Sequence, residues 1–112
     1  MGYSRIIDSL RVAEVSALPA EAVNQPFFSV QGRLIKINGE DVQVFQYAHA
    51  AAAAEQAALV SPDGNAVGTG MPHWIGSPHF FKKELLLVLY VGDDDKVQRA
   101  LEAVLGQQFA GK

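Results

Sequence analysis

Three histidines and a tryptophan are the residues of this chain that could most readily do chemistry near neutral pH. His73 and His79 flank Trp74 within the segment 71–80, and imidazole is the commonest metal-binding side chain as well as a frequent general base. The two histidines are six residues apart, which matches no helical ligand pair, and no carboxylate lies between them. The pattern therefore favours loop histidines with ordinary hydrogen bonds over a metal or acid–base site, and it predicts no cofactor and no metal.

The serines and aspartates do not form a catalytic pattern. Ser77 has a histidine nearby, but it is followed by Pro78 and lacks the small residue that a nucleophile elbow requires after the serine. The aspartates at 93–95 lack the alternating ligands of a calcium loop and precede an amphipathic pattern, so they are predicted to cap a helix. We therefore predict no catalytic residue.

Aromatic residues crowd two short segments beside prolines, at 27–28 and at 74–81. Aromatic rings supply large contact areas at interaction surfaces, but a small domain also needs bulky apolar side chains in its core, and burial is the commoner use. If these segments do form a binding surface, its predicted ligand-binding residues are His73, Trp74, His79, Phe27 and Phe28.

Composition indicates one globular domain over residues 1–112. Nine basic residues are scattered among twelve acidic ones, so the net charge is −3 and nucleic-acid binding is not expected. The longest apolar run, 85–91, is far shorter than the roughly 20 residues of a membrane-spanning helix. Because there is no cysteine, thiol catalysis and disulfides are excluded.

Local patterns predict an alternation of helices, hairpins and turns along the chain. Hydrophobic periodicity, caps and turn residues place these elements as follows: a helix at 4–12, a short strand at 14–18, a hairpin at 33–47 around Asn38-Gly39, a helix at 49–60, a turn at 61–65, an irregular segment at 66–78, a hairpin at 79–91 and a helix that is opened by residues 92–95 and ends before Gly106. The segment 66–78 is rich in glycine and proline and is the loop most able to carry function.

These elements predict an α+β fold. Two ββα units would form an antiparallel sheet with the helices on one face, preceded by an N-terminal helix and a short strand. The run 85–91 is apolar throughout, which is typical of an interior strand that is covered on both faces. With helices on one face only, a second subunit or a strongly curled sheet would have to cover the other, so a homodimer is also predicted.

The chain resembles a group of uncharacterised small bacterial domains that look like the folded part of lipoproteins. The resemblance runs from about residue 6 to residue 111. The motifs that carry it are Gln25-Pro-Phe-Phe-Ser-Val30, Asn38-Gly-Glu-Asp-Val-Gln-Val-Phe45, Ser61-Pro-Asp-Gly64, and the pair Trp74-Ile and Pro78-His-Phe80, which precede the strand that ends at Gly92. It implies an extracytoplasmic or cell-envelope location, with the leader absent from this chain, and no known activity.

Two functions are consistent with these patterns. The first is a non-enzymatic extracytoplasmic domain of a bacterial envelope protein that binds a protein or a small ligand through the loop 63–79 and Phe27-Phe28. The alternative is a small dimeric α+β barrel enzyme that uses His73, Trp74 or His79 on an aromatic or haem-like substrate.

Overall fold

The fold is given by a computed structural model, which describes residues 2–26, 28–72 and 74–111. Within those residues the chain forms three α-helices and six strands, none of the helices being long and apolar enough to cross a membrane. In chain order the elements are α1 (Tyr3–Val12), β1 (Ala17–Val23), β2 (Gly32–Ile37), β3 (Glu40–Gln46), α2 (Ala50–Ala57), β4 (Pro78–Lys83), β5 (Leu86–Val91), α3 (Asp95–Leu105) and β6 (Ala110–Gly111). The predicted α+β class, with a helix first, is confirmed.

The described strands form one antiparallel sheet in the order β1-β2-β3-β5-β4-β6. β5 lies inside the sheet, as its unbroken apolar sequence predicts, and residues 86–90 are all buried. The β2–β3 hairpin turns at Asn38 and Gly39, whose φ angles of 50° and 82° are those that an Asn-Gly turn tolerates. Its register pairs Ile35 with Val42, as the two-residue loop predicts.

The helices lie on both faces of the sheet, so the prediction that they share one face is wrong. α1 and α3 cover one face with large side chains such as Ile6 and Leu101. α2 covers the other face, where Ala53 packs in a second core with Phe45 and Leu87. The two ββα units are not confirmed, because α2 and α3 follow similar hairpins but pack on opposite faces. Since this chain itself covers both faces of β5, the argument that led to a second subunit no longer applies.

β1 is an edge strand that continues through Pro19, where the sequence predicts that a strand ends. Proline lacks a backbone N–H but is tolerated at sheet edges and bulges, and the pairing register of β1 shifts between Pro19 and Ala22. At the other edge, β6 pairs with β4 over two residues, too short a strand to show a sequence pattern.

Aspartate capping of α3 is confirmed. The Asp94 carboxylate accepts hydrogen bonds from the backbone N–H groups of Lys96 (2.9 Å) and Val97 (3.4 Å). α2 ends earlier than predicted, at Ala57, and Val60 instead forms an isolated bridge with Val67. This bridge lies in the long connection from α2 to β4, residues 58–77.

Candidate binding cleft

The connection between α2 and β4 is fixed at its start by a hydrogen-bonded turn. The Asp63 carboxylate accepts hydrogen bonds from the Ser61 hydroxyl (2.7 Å), the Asn65 backbone N–H (3.0 Å) and the Asn65 side-chain amide (3.3 Å). These bonds, the one from Ser61 above all, hold the pKa of Asp63 below its usual value. The Ser61 hydroxyl also accepts from the backbone N–H of Ala66 (3.0 Å), which ties the two ends of the turn together.

Trp74 fixes the second half of the same connection. Its indole N–H donates to the carbonyl oxygen of Gly64 (2.8 Å), and its ring lies edge-on to Phe80, with centroids 6.1 Å apart. Phe80 is fully buried in the second core. Trp74 therefore joins the irregular connection to the sheet.

Three large apolar side chains among the described residues of this connection are exposed to solvent. Ile75 has a relative exposure of 103%, Met71 one of 75% and Leu59 one of 43%. Most large apolar side chains of a small domain are buried, and exposed ones that form a patch commonly mark an interaction surface.

A cleft of about 510 Å³ separates this surface from the tip of the β2–β3 hairpin, and we call it the loop–hairpin cleft. Its lining residues are apolar at Pro72, Trp74, Ile75 and Val91, and the others are Gln25, Gly39, Glu40, Asp41 and Gln43. Gln43 pairs with Leu89 of the second core, and Trp74 and Val91 pack against the same core. The cleft therefore opens on the face of the sheet that α2 covers.

The carboxylate of Glu40 is oriented by a buried tyrosine. The Tyr90 hydroxyl donates to Oε1 of Glu40 (2.7 Å) and accepts from the backbone N–H of Asp94 (3.0 Å). Burial, followed by the bond to Glu40, raises the pKa of Tyr90 to about 12. Tyr90 is therefore neutral at physiological pH and donates to Glu40, and because Tyr90 belongs to the first core, the Glu40 carboxylate lies on the face of the sheet that α1 and α3 cover.

The other polar side chains of the cleft are paired along the hairpin. Asp41 forms a salt bridge with Lys36 (2.6 Å), the partner that the hairpin register predicts, and the bond raises the pKa of Lys36. Both side chains are about half exposed, so the pair adds little to stability. The Gln25 amide donates to Oε1 of Gln43 (2.8 Å), which links the β1–β2 connection to β3.

A second groove of about 350 Å³ lies beside the first, and we call it the apolar groove. It is lined by Pro26, Leu59, Val67, Gly68, Thr69 and Gly70. Gln25 of the loop–hairpin cleft directly precedes Pro26 of this groove, and Pro72 and Gly70 are separated only by the exposed Met71. The two depressions are therefore neighbours along two segments of the chain.

His79 is a buried residue of β4 rather than part of the cleft wall. It is 3% exposed, and its ring stacks on that of Tyr90 with centroids 5.8 Å apart. Nε2 lies 2.9 Å from the Gly92 carbonyl oxygen, to which it must donate, and Nδ1 lies 2.8 Å from Oε1 of Gln108. With both nitrogens engaged, this histidine fits the ordinary hydrogen-bonding role that the sequence favours.

The structure brings only one of the predicted ligand-binding residues to the cleft, namely Trp74. Phe28 is buried in the second core, with its ring 4.7 Å from that of Phe45. Phe27 and His73 lie outside the described residues. Sequence reasoning missed Gln25 and Gln43, because nothing local brings the hairpin close to the long connection.

Among the described residues, no three histidine, aspartate or glutamate side chains come together in a way that could hold a metal ion. Comparison with protein families, curated proteins and solved structures gives no match to this chain. The resemblance to lipoprotein domains stays a prediction.

Proposed function

We propose that this chain is a non-enzymatic binding domain that takes its ligand in the loop–hairpin cleft. The observation that carries the proposal is the fully exposed Ile75, which stands beside Trp74 on one wall of a cleft of about 510 Å³. An isoleucine in this position would lose its water-exposed apolar surface when a ligand fills the cleft. Following the resemblance, we further propose an extracytoplasmic location at the bacterial cell envelope.

Hydrogen bonds within the described part of the connection support this proposal. The Asp63 carboxylate accepts from the Asn65 backbone, and the Trp74 indole donates to the carbonyl oxygen of Gly64. Binding residues are found disproportionately on loops that a folded scaffold positions in this way.

The alternative of a dimeric α+β barrel enzyme has less support. Such an enzyme would enclose its substrate against an open sheet face, whereas helices and the long connection of this chain occupy both faces. The described lining residues of the cleft include no serine, threonine, lysine or histidine that could act as a nucleophile with an adjacent base. We therefore favour binding over catalysis.

A peptide selection with a matched pair of variants tests the proposal. Random peptides displayed on phage are selected against the domain, and their affinities are measured through the fluorescence of Trp74, the single tryptophan of the chain. Ile75→Ser should weaken the selected peptides about tenfold or more, the worth of one buried aliphatic side chain. Val12→Ser, an equally exposed position at the end of α1, should leave affinity unchanged. Failure to select any peptide, or equal affinity of the two variants, would refute the proposal.

A further inference from the structure

We propose that a groove between α1 and the edge of the sheet binds a small organic ligand that carries an acidic group at each end. The groove has a volume of about 350 Å³, and we call it the arginine groove. Its lining includes Tyr3, Ile7, Asp8 and Arg11 of α1, Pro19 of β1 and Arg33 of β2. Tyr3 and Ile7 pack on the first core, so this groove opens on the opposite face of the sheet from the loop–hairpin cleft. The inference therefore does not depend on the proposed function.

Arg33 stands at one end of the groove with an oriented guanidinium group. Its Cζ atom lies 4.6 Å from the centre of the Tyr3 ring, which is a cation–π contact. The Tyr3 ring is itself held in place, since its hydroxyl donates to the carbonyl oxygen of Leu34 (2.7 Å). The contact with Tyr3 uses one face of the guanidinium and leaves the N–H groups around its edge to bind a ligand.

Arg11 stands at the other end of the groove. Its Nε–H donates to the carbonyl oxygen of Ala17 (3.2 Å), which leaves the terminal nitrogens of the guanidinium to bind a ligand. Arg11 follows Tyr3, which anchors Arg33, by eight positions in α1, so roughly 12 Å of helix separates the two anchoring points. One acidic group would therefore not reach both arginines, whereas a ligand with an acidic group at each end would.

The charge of the groove favours an anion. Its described lining residues include two arginines and one acidic residue, Asp8. Within the part of the chain that the structure describes, neither Arg11 nor Arg33 forms a salt bridge with Asp8 or with another carboxylate. Guanidinium groups bind carboxylates and phosphates through paired, charge-assisted hydrogen bonds. The two arginines are therefore available for the acidic groups of a ligand.

The surface between the two arginines is largely apolar. Ile7 is only 6% exposed, and it lines the groove together with the proline ring of Pro19. The volume of about 350 Å³ falls within the range of small-molecule sites in proteins. The groove therefore suits a short aliphatic chain between two carboxylates or two phosphate-like groups better than it suits an inorganic anion.

A series of linear dicarboxylates from oxalate to sebacate provides the first test. Each is titrated into the isotope-labelled domain, and the Nε–H signals of Arg11 and Arg33 are followed by nuclear magnetic resonance. Affinity should pass through a maximum along the series, and the best dicarboxylate should bind about tenfold or more tightly than the monocarboxylate of the same length, because it alone engages both arginines. The bisphosphonate of that length, titrated in parallel, identifies the preferred acidic group. If the monocarboxylate binds as tightly as every dicarboxylate, or none of these compounds binds, the inference falls.

Charge variants provide the second test, and thermal unfolding verifies that each is folded. Arg11→Gln and Arg33→Gln should each weaken the best dicarboxylate about tenfold, to the level of the monocarboxylate. Arg99→Gln is the matched control, since Arg99 is an exposed arginine of α3 outside the groove, and it should leave affinity unchanged. Asp8→Asn should strengthen binding, because it removes a like charge from the groove.

The remaining outcomes separate this inference from its alternatives. If Arg99→Gln weakens binding as much as Arg11→Gln, the attraction belongs to the whole surface and the inference falls. If Asp8→Asn weakens binding, Asp8 contacts a cationic group of the ligand and the proposed dianion is wrong. If an acidic peptide binds more tightly than any dicarboxylate, the occupant is a protein segment and the inference falls. Peptide selection at Ile75 tests the opposite face, so its result does not decide this one.

Discussion

Replacement of His79 tests whether this histidine is a structural residue, as its environment indicates. His79→Ala removes the buried ring that stacks on Tyr90 and that hydrogen-bonds to the carbonyl oxygen of Gly92 and to the side chain of Gln108. Each lost hydrogen bond costs about 0.5–1.5 kcal/mol, and the cavity left by the ring adds to that. We expect the free energy of unfolding to fall by about 3–4 kcal/mol.

Urea denaturation followed by circular dichroism measures this loss. With a slope of about 1.5 kcal/mol per molar urea for a domain of this size, the midpoint should fall by about 2 M. His49→Ala is the matched control, because His49 is exposed and makes no side-chain cap bond at the start of α2, so its loss should stay within about 0.5 kcal/mol. His79→Phe fills most of the space without the hydrogen bonds and should lie between the two.

Equal stability of the His79→Ala and His49→Ala variants would refute this reasoning. It would mean that the two hydrogen bonds and the stacking contact of His79 contribute nothing, and a ligand-binding role for this residue would have to be considered again. A stability loss of several kcal/mol with unchanged peptide affinity per folded molecule would agree with a structural role.

Two further predictions concern the second core and the buried phenols. Gly32→Ala would place a Cβ atom 2.5 Å from the ring of the buried Phe45, so we expect a loss of about 1–3 kcal/mol in urea denaturation, and an unchanged midpoint would contradict this close approach. Burial raises the pKa of Tyr47 and of Tyr90 to about 12, above the value of 10 for an exposed phenol. The stability that each contributes, about 2–3 kcal/mol, should be complete below pH 10 and lost as the pH rises through 12. The absorbance of the phenolate, followed as the pH is raised, measures the pKa of each tyrosine. If Tyr47→Phe or Tyr90→Phe removes a titration step near pH 10 rather than near pH 12, the raised pKa of that tyrosine is wrong.

Local signals predicted the hairpins and the interior strand correctly, because each depends on residues close together in sequence. Asn38-Gly39 fixes the first turn, and the unbroken apolar run of β5 requires cover on both faces. The face on which α2 packs was predicted wrongly, since the similar order of β2-β3-α2 and β4-β5-α3 suggested equivalent units. The size of the side chains explains on which face each helix packs. The small side chains of α2 fit against Phe45 and Leu87, whereas α1 and α3 bring isoleucine and leucine to the other face.

The cleft was predictable only in part. Trp74 stood out by its type and its setting in a loop rich in glycine and proline, and the structure places it on the cleft wall. Gln43, which also lines the cleft, is distant from Trp74 in sequence and was interpreted only as part of a hairpin. Their proximity follows from β3 pairing with β5, which places Gln43 beside Leu89, and from the packing of Trp74 against the same core. Neither depends on a local pattern.

Tyr90 connects the centre of the sheet to the hairpin tip and to α3. Its ring is fully buried in the first core, while its hydroxyl donates to Glu40 and accepts from the backbone N–H of Asp94 at the start of α3. A change at Tyr90 should therefore weaken binding only by lowering the stability of the fold, whereas a change at the exposed Ile75 should weaken binding and leave the stability unchanged.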